Sequence, residues 1–119
     1  MQSYGKKARS SRATAQLSGI LPNMVSCWGN GGSISNPDGN GGENVCSIGS
    51  GYGQWPGLTG ALANYSYEST YLFTNDSNWF FIVRSDGSHD NVTICCNSTM
   101  NSCENIGDAS AACDQSTTW

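Results

Sequence analysis

Cys95 and Cys96 stand side by side at the end of the run Asn91-Val92-Thr93-Ile94-Cys95-Cys96, in the most strand-like part of the chain. Successive residues of a strand point to opposite faces of its sheet. Two adjacent strand cysteines therefore point to opposite faces. Each is expected to pair with one of Cys103 and Cys113, and the spacing leaves both pairings open. Cys27 and Cys46 are the expected third pair. They bracket most of a glycine-rich stretch, and closing such a loop is worth ~3 kcal/mol through the unfolded state. Six cysteines in 119 residues with few lysines and 15 glycines read as a disulfide framework made in an oxidising compartment. Zinc is the rival for Cys95, Cys96, Cys103, Cys113 and His89. The order C-C-x6-C-x9-C lacks the paired C-x2–4-C hooks that close a structural zinc site.

A framework of this kind suits one small domain, which is what 119 residues allow. Charged residues are 12% of the chain, about half the roughly 25% of an ordinary soluble domain. Gly, Ser, Thr and Asn fill 53 positions, so amides and hydroxyls must make the surface polar. Charge is also segregated. Lys6, Lys7, Arg9 and Arg12 give residues 1–12 a charge of +4, while the remainder sets Arg84 against nine acids. An acidic body argues against nucleic-acid contact, which needs a basic face. The basic start suits an anionic membrane surface or a solvated arm.

Residues 3–25 read as a helix. Ala13, Leu17, Ile20, Leu21 and Met24 recur on one helical face. Pro22 is expected to kink it. Residues 3–12 carry almost nothing apolar, so the helix is a stalk with a packed end and a bare basic end. The stretch 29–51 is expected to be a loop, from Gly29-Asn30-Gly31-Gly32 and Asn36-Pro37-Asp38-Gly39-Asn40-Gly41-Gly42. From Thr70 the period is two. Strands are expected at 71–74, 79–84 and 91–95, with turns at 75–78 and 85–88, the second using Asp86-Gly87. The fold class is thus α+β: an N-terminal helix whose Leu17, Leu21 and Met24 pack on an antiparallel meander over 70–96, followed by a loop-like, cysteine-closed region over 97–119.

Chemistry-bearing patterns are sparse. Ser88-His89-Asp90 are neighbours in sequence, whereas triads are assembled across a fold. No nucleophile elbow, phosphate loop or dinucleotide fingerprint is present, so neither an enzyme nor a cofactor is expected. Asp86, Ser88 and Asp90 offer the beginning of a calcium shell, without a remote carboxylate to complete it. Four Asn-x-Ser/Thr matches (Asn64, Asn75, Asn91 and Asn97) are close to the number that the composition gives by chance.

The segment Ser3-Tyr4-Gly5-Lys6-Lys7-Ala8-Arg9-Ser10-Ser11-Arg12-Ala13-Thr14-Ala15-Gln16-Leu17 resembles the region just after the membrane-spanning part of a type IV pilin or pseudopilin, often K-A-R-x-x-R there. The order that follows also resembles that family: a Cys27-to-Cys46 αβ-loop over 27–69, Trp55-Pro56, an antiparallel sheet and a cysteine-closed end. The resemblance implies a pilin-like head as one domain over 1–119, with 1–26 as the C-terminal half of the stalk helix. It implies a hydrophobic helix of about 25 residues ahead of this sequence, with Met1 standing where that helix was removed. It implies a structural subunit of a cell-surface filament, with identical or homologous pilin subunits as partners. Before assembly that helix would hold the subunit in the inner membrane, with Lys6, Lys7, Arg9 and Arg12 close to the headgroups. Major pilin, minor pilin and pseudopilin of a secretion system remain open. A secreted lectin or adhesin, with Trp28, Trp55 or Trp119 stacking on sugars, is the reading from another class.

Overall fold

The computed structural model describes residues 2–37 and 39–119, without the side chains of Gln2, Ser3, Tyr4 and Lys6. Met1, and Asp38 within the expected 36–42 turn, lie outside the described residues. The elements are α1 (Gln2–Ser18), α2 (Leu21–Gly29), β1 (Asn44–Cys46), β2 (Gly49–Gln54), a single 3-10 turn (Gly60–Leu62), β3 (Tyr65–Tyr67), β4 (Leu72–Asn75), β5 (Asn78–Ser85), β6 (Val92–Asn97) and β7 (Ser102–Gly107). The molecule measures 46 × 27 × 20 Å. Among the described residues no helix is long and apolar enough to cross a membrane.

The expected single helix is two helices. The break falls at Gly19 and Ile20, not at Pro22, and α2 runs on to Gly29. The amides of Gly19 and Ile20 bond to Ala15 and Leu17, and Met24 N–H bonds to Ile20 to start the next helix. Pro22 sits in the first turn of α2, where a missing N–H leaves no hydrogen bond unmade. The proline thus begins a helix instead of kinking one. The stripe survives the break: Ala13, Leu17, Ile20, Leu21, Met24 and Cys27 are all buried.

The main sheet has five antiparallel strands in the order β3-β5-β6-β7, with β4 also pairing β5. It is wider than the expected meander. The segment before it supplies β3 and the region after it supplies β7, which was expected to be a loop. β7 is polar, but Cys103 lies directly opposite Cys96 and the two are bridged. The cross-strand bond holds a sequence of low strand propensity in the ladder. The β5–β6 connection also differs. β5 extends to Ser85, which pairs with Val92, leaving a loop over 86–91 whose left-handed residue is Asn91 at φ 55°. His89 and Asn91 both donate backbone N–H to the Asp86 carbonyl.

One sheet face meets the helices. Trp79, Phe81 and Val83 of β5, Val92, Ile94 and Cys96 of β6 and Cys103 of β7 join the helical stripe in one core. The C-terminal segment crosses the other face. Cys95 is bridged to Cys113. Thr93 Oγ1 donates to the Asp108 carbonyl. Arg84 Nη1 donates to the Ala109 and Ala111 carbonyls at 3.0 and 2.7 Å, and Asn97 Nδ2 to those of Asp114 and Thr117. Phe80 and Ile82 are buried on this side as well. Cys95 and Cys96 therefore serve two layers, as strand alternation requires.

The stretch 29–51 was expected to be a loop, yet it forms most of a small sheet. β1 pairs with β2, and Ile34 bridges to Cys46 on the other side. β2 reads Gly-Ser-Gly-Tyr-Gly-Gln, a composition depleted in strands. It is held by its backbone ladder and by the Cys27–Cys46 bridge, which fastens β1 to α2. Trp55 follows β2 into the core, donating Nε1–H to the Ser35 carbonyl at 2.8 Å. It packs edge-on against Phe81 with ring centroids 5.0 Å apart.

Candidate functional site

Helix α1 meets the β5–β6 loop through Arg9. Arg9, on the side of α1 that turns toward the sheet, reaches Asp90 with Nε at 3.1 and 3.2 Å and Nη2 at 2.6 Å. The Asp90 side chain is 7% exposed and that of Arg9 44%. Tyr65 of β3 sends its hydroxyl to the same carboxylate at 3.4 Å, and Ser85 Oγ accepts the Asp90 N–H at 3.0 Å. Burial first, then the neighbouring Asp90 charge, pushes the Tyr65 phenol up to about 12. The Asp90 hydrogen bonds hold the Arg9 guanidinium above its usual value. A buried carboxylate of this kind requires a charged, hydrogen-bonded partner.

Beside this pair lies a cleft of about 440 Å³, lined by Gly5 and Arg9 of α1, Gly60, Ala63 and Asn64 around the 3-10 turn, and Ser88, His89 and Asp90 of the loop. Gly60 and Asn64 both have left-handed backbones, at φ 59° and 69°. In the loop, Asp86 Oδ1 accepts from Ser88 N–H at 3.0 Å and Ser88 Oγ at 2.8 Å. His89 Nδ1 lies 2.7 Å from the same oxygen. The histidine and serine contacts hold the Asp86 carboxyl below its usual range.

These contacts separate the residues that sequence grouped together. Asp86 and Ser88 satisfy one another, while Asp90 turns away to Arg9, so the three calcium candidates do not converge. Among the described residues no three His, Cys, Asp or Glu side chains are placed to hold a metal ion. The four basic residues also part company. Lys7 and Arg12 are exposed, the Lys6 side chain lies outside the described residues, and Arg9 is pinned to the head. Leu17, Leu21 and Met24 lie in the core. All six cysteines are bridged: Cys27–Cys46, Cys95–Cys113 and Cys96–Cys103. Of the tryptophans offered for sugar stacking, Trp55 is enclosed at 1% exposure. Trp28 packs against the core, and Trp119 is half-buried.

The Arg9–Asp90–Tyr65 cluster had no sequence signal, because its members sit on three distant segments. The Arg84 clamp on the C-terminal segment was also missed. A lone arginine in an apolar strand was its only trace.

No family model matches this chain. Comparison with curated proteins and with solved structures likewise finds no match.

Proposed function

We propose that this chain is the head of a type IV pilin-like filament subunit. The observation that carries the reading is the dressing of α1. Its first buried described side chain is Ser10, followed by Ala13 and Leu17 on one face, while Lys7 and Arg12 are exposed. Among the described side chains of α1 none before Ser10 is buried, and of its described basic residues only Arg9 reaches the sheet's loop, which leaves Lys7 and Arg12 to meet something else. The antiparallel sheet behind that helix, and the bridge from the helix end to the following segment, support the same reading. A surface of amides and hydroxyls with little charge suits heads that pack side by side and still face water. The acidic body gives a neighbour's basic segment a surface to meet.

The subunit would be exported, held in the inner membrane by a preceding apolar helix, and then assembled with identical or homologous subunits outside the cell. Major pilin, minor pilin and secretion pseudopilin share these requirements. The test starts from filaments sheared from the source cells. Mass and N-terminal sequencing should find an apolar segment of about 25 residues ahead of Gln2, the length that spans a bilayer. The Lys7→Glu/Arg12→Glu variant should then assemble poorly while its head melts normally. A native chain without that segment, free in the medium, would overturn the reading.

A further inference from the structure

We propose that the cleft between α1, the 3-10 turn and the 86–91 loop binds a neutral sugar residue. The inference goes beyond the filament reading and does not depend on it. The cleft's volume, about 440 Å³, lies within the roughly 300–1,000 Å³ of small-ligand sites. Three segments far apart in sequence converge on it, and two of them contribute a glycine to its lining.

The chemistry of the lining selects the ligand. The charged groups among the described lining residues, Arg9 and Asp90, are spent on each other. Arg9 uses Nε and Nη2 for that pair. Its Nη1 takes no part in that pair and lies 3.7 Å from an ideal Cβ at Gly5, beside the cleft. His89 faces Asp86 through Nδ1. A proton held there leaves Nε2 as an acceptor. Asn64 adds an amide donor and a carbonyl acceptor, and the Ser88 hydroxyl, whose proton goes to Asp86, adds an acceptor. Donors and acceptors are therefore both present among the described residues around a space where the one ion pair is internally balanced. An anion would offer acceptors alone and leave His89 Nε2 and the Asn64 carbonyl unmatched. A metal ion would face the guanidinium. Hydroxyl groups on a ring both donate and accept, and they meet every one of these groups.

The test is amide chemical-shift titration of the head by NMR with methyl glycosides of galactose, glucose, mannose and N-acetylglucosamine. Sodium acetate and sodium phosphate at matched ionic strength are the anion probes. At least one glycoside should give saturable shifts confined to residues 60–64 and 88–90, with millimolar affinity. Gly5→Leu places a side chain in the cleft against Arg9 Nη1, leaving the Nε and Nη2 that hold Asp90 in place. It should weaken binding about tenfold or more, the equivalent of 1.4 kcal/mol, with an unchanged near-ultraviolet spectrum. His89→Ala removes an acceptor and should also weaken it. The proposal is overturned if no glycoside gives saturable shifts there, if acetate or phosphate moves the same amides as strongly, or if both variants bind as the parent does.

Discussion

Arg9 and Asp90 are separated by 81 residues in sequence and by 2.6 Å in space. The pair fixes the angle at which the basic half of α1 leaves the head, because Asp90 is anchored through Ser85 and Tyr65 on the sheet. Arg9 thereby differs from Lys7 and Arg12, which it resembles in sequence.

Arg9→Gln should lower the melting temperature, because it leaves the buried Asp90 without its cation. Lys7→Gln should leave it unchanged. Adding Asp90→Asn to Arg9→Gln should cost little more than the worse single change, since the two groups form one interaction. Thermal melts of the four variants decide this. Additive losses would mean that the pair is not coupled.

Alkali should act on the same cluster. The Tyr65 phenol is pushed up to about 12, chiefly by burial, and burial raises Tyr67 as well. The unfolded chain releases these protons near pH 10, while the folded chain retains them. The stability that these two phenols contribute should therefore be constant below pH 10 and fall as pH rises from about 10 to 12. Ultraviolet titration should show two tyrosines ionising late. Asp90→Asn should bring Tyr65 partway back, leaving the contribution of burial.

The bridges should rank by the span they close. Cys27→Ala/Cys46→Ala opens a 19-residue separation and should cost ~3 kcal/mol in the chain-entropy account. Cys96→Ala/Cys103→Ala opens a separation of 7 and should cost ~2.5 kcal/mol by the same account. Reduction of all three should depress the melting temperature by well over ten degrees, since so small a core is marginal alone (about 4–8 °C per kcal/mol). Denaturant unfolding of each double variant measures the ranking.

Gly41 and Gly51 provide a contrast within the glycine-rich region. Gly41 is left-handed at φ 80°, and a Cβ there would run into the Pro56 carbonyl. Gly41→Ala should therefore destabilise by about 1–3 kcal/mol. Gly51 has ordinary backbone geometry and nothing within reach of an added methyl group. Gly51→Ala should be neutral, or gain roughly 0.5 kcal/mol from the less flexible unfolded chain. Equal effects at the two sites would contradict this packing.

Periodicity made α1, α2, β5 and β6 legible, because their apolar residues recur at the spacing of the face they bury. Adjacent cysteines made the two-layer arrangement legible for the same geometric reason. β7 and β2 were hidden. One is a polar strand kept by a cross-strand bridge, and the other is a glycine-rich strand kept by its ladder, so neither carries an apolar alternation. The helix break was misplaced because proline is disruptive within a helix and welcome in its first turn. The cleft was invisible: Gly5, Asn64 and His89 have no local pattern in common, and it takes the β3–β5 and β5–β6 pairings together with the docking of α1 through Arg9 to bring their segments together.

The Cys95–Cys113 span encloses the Cys96–Cys103 span, and this nesting has a mechanical consequence. A pulling force applied along the stalk and resisted at the C-terminus would pass through the outer bond and slacken everything inside it. Strand β7 and the end of β6 beyond Cys95 would carry no tension until a sulfur–sulfur bond broke. The 19-residue span closed by Cys27 and Cys46 would be withheld from stretching in the same way. Under load the described chain would lengthen only ahead of Cys27, in the segment between Cys46 and Cys95, and in the residues after Cys113, and its extension would end abruptly.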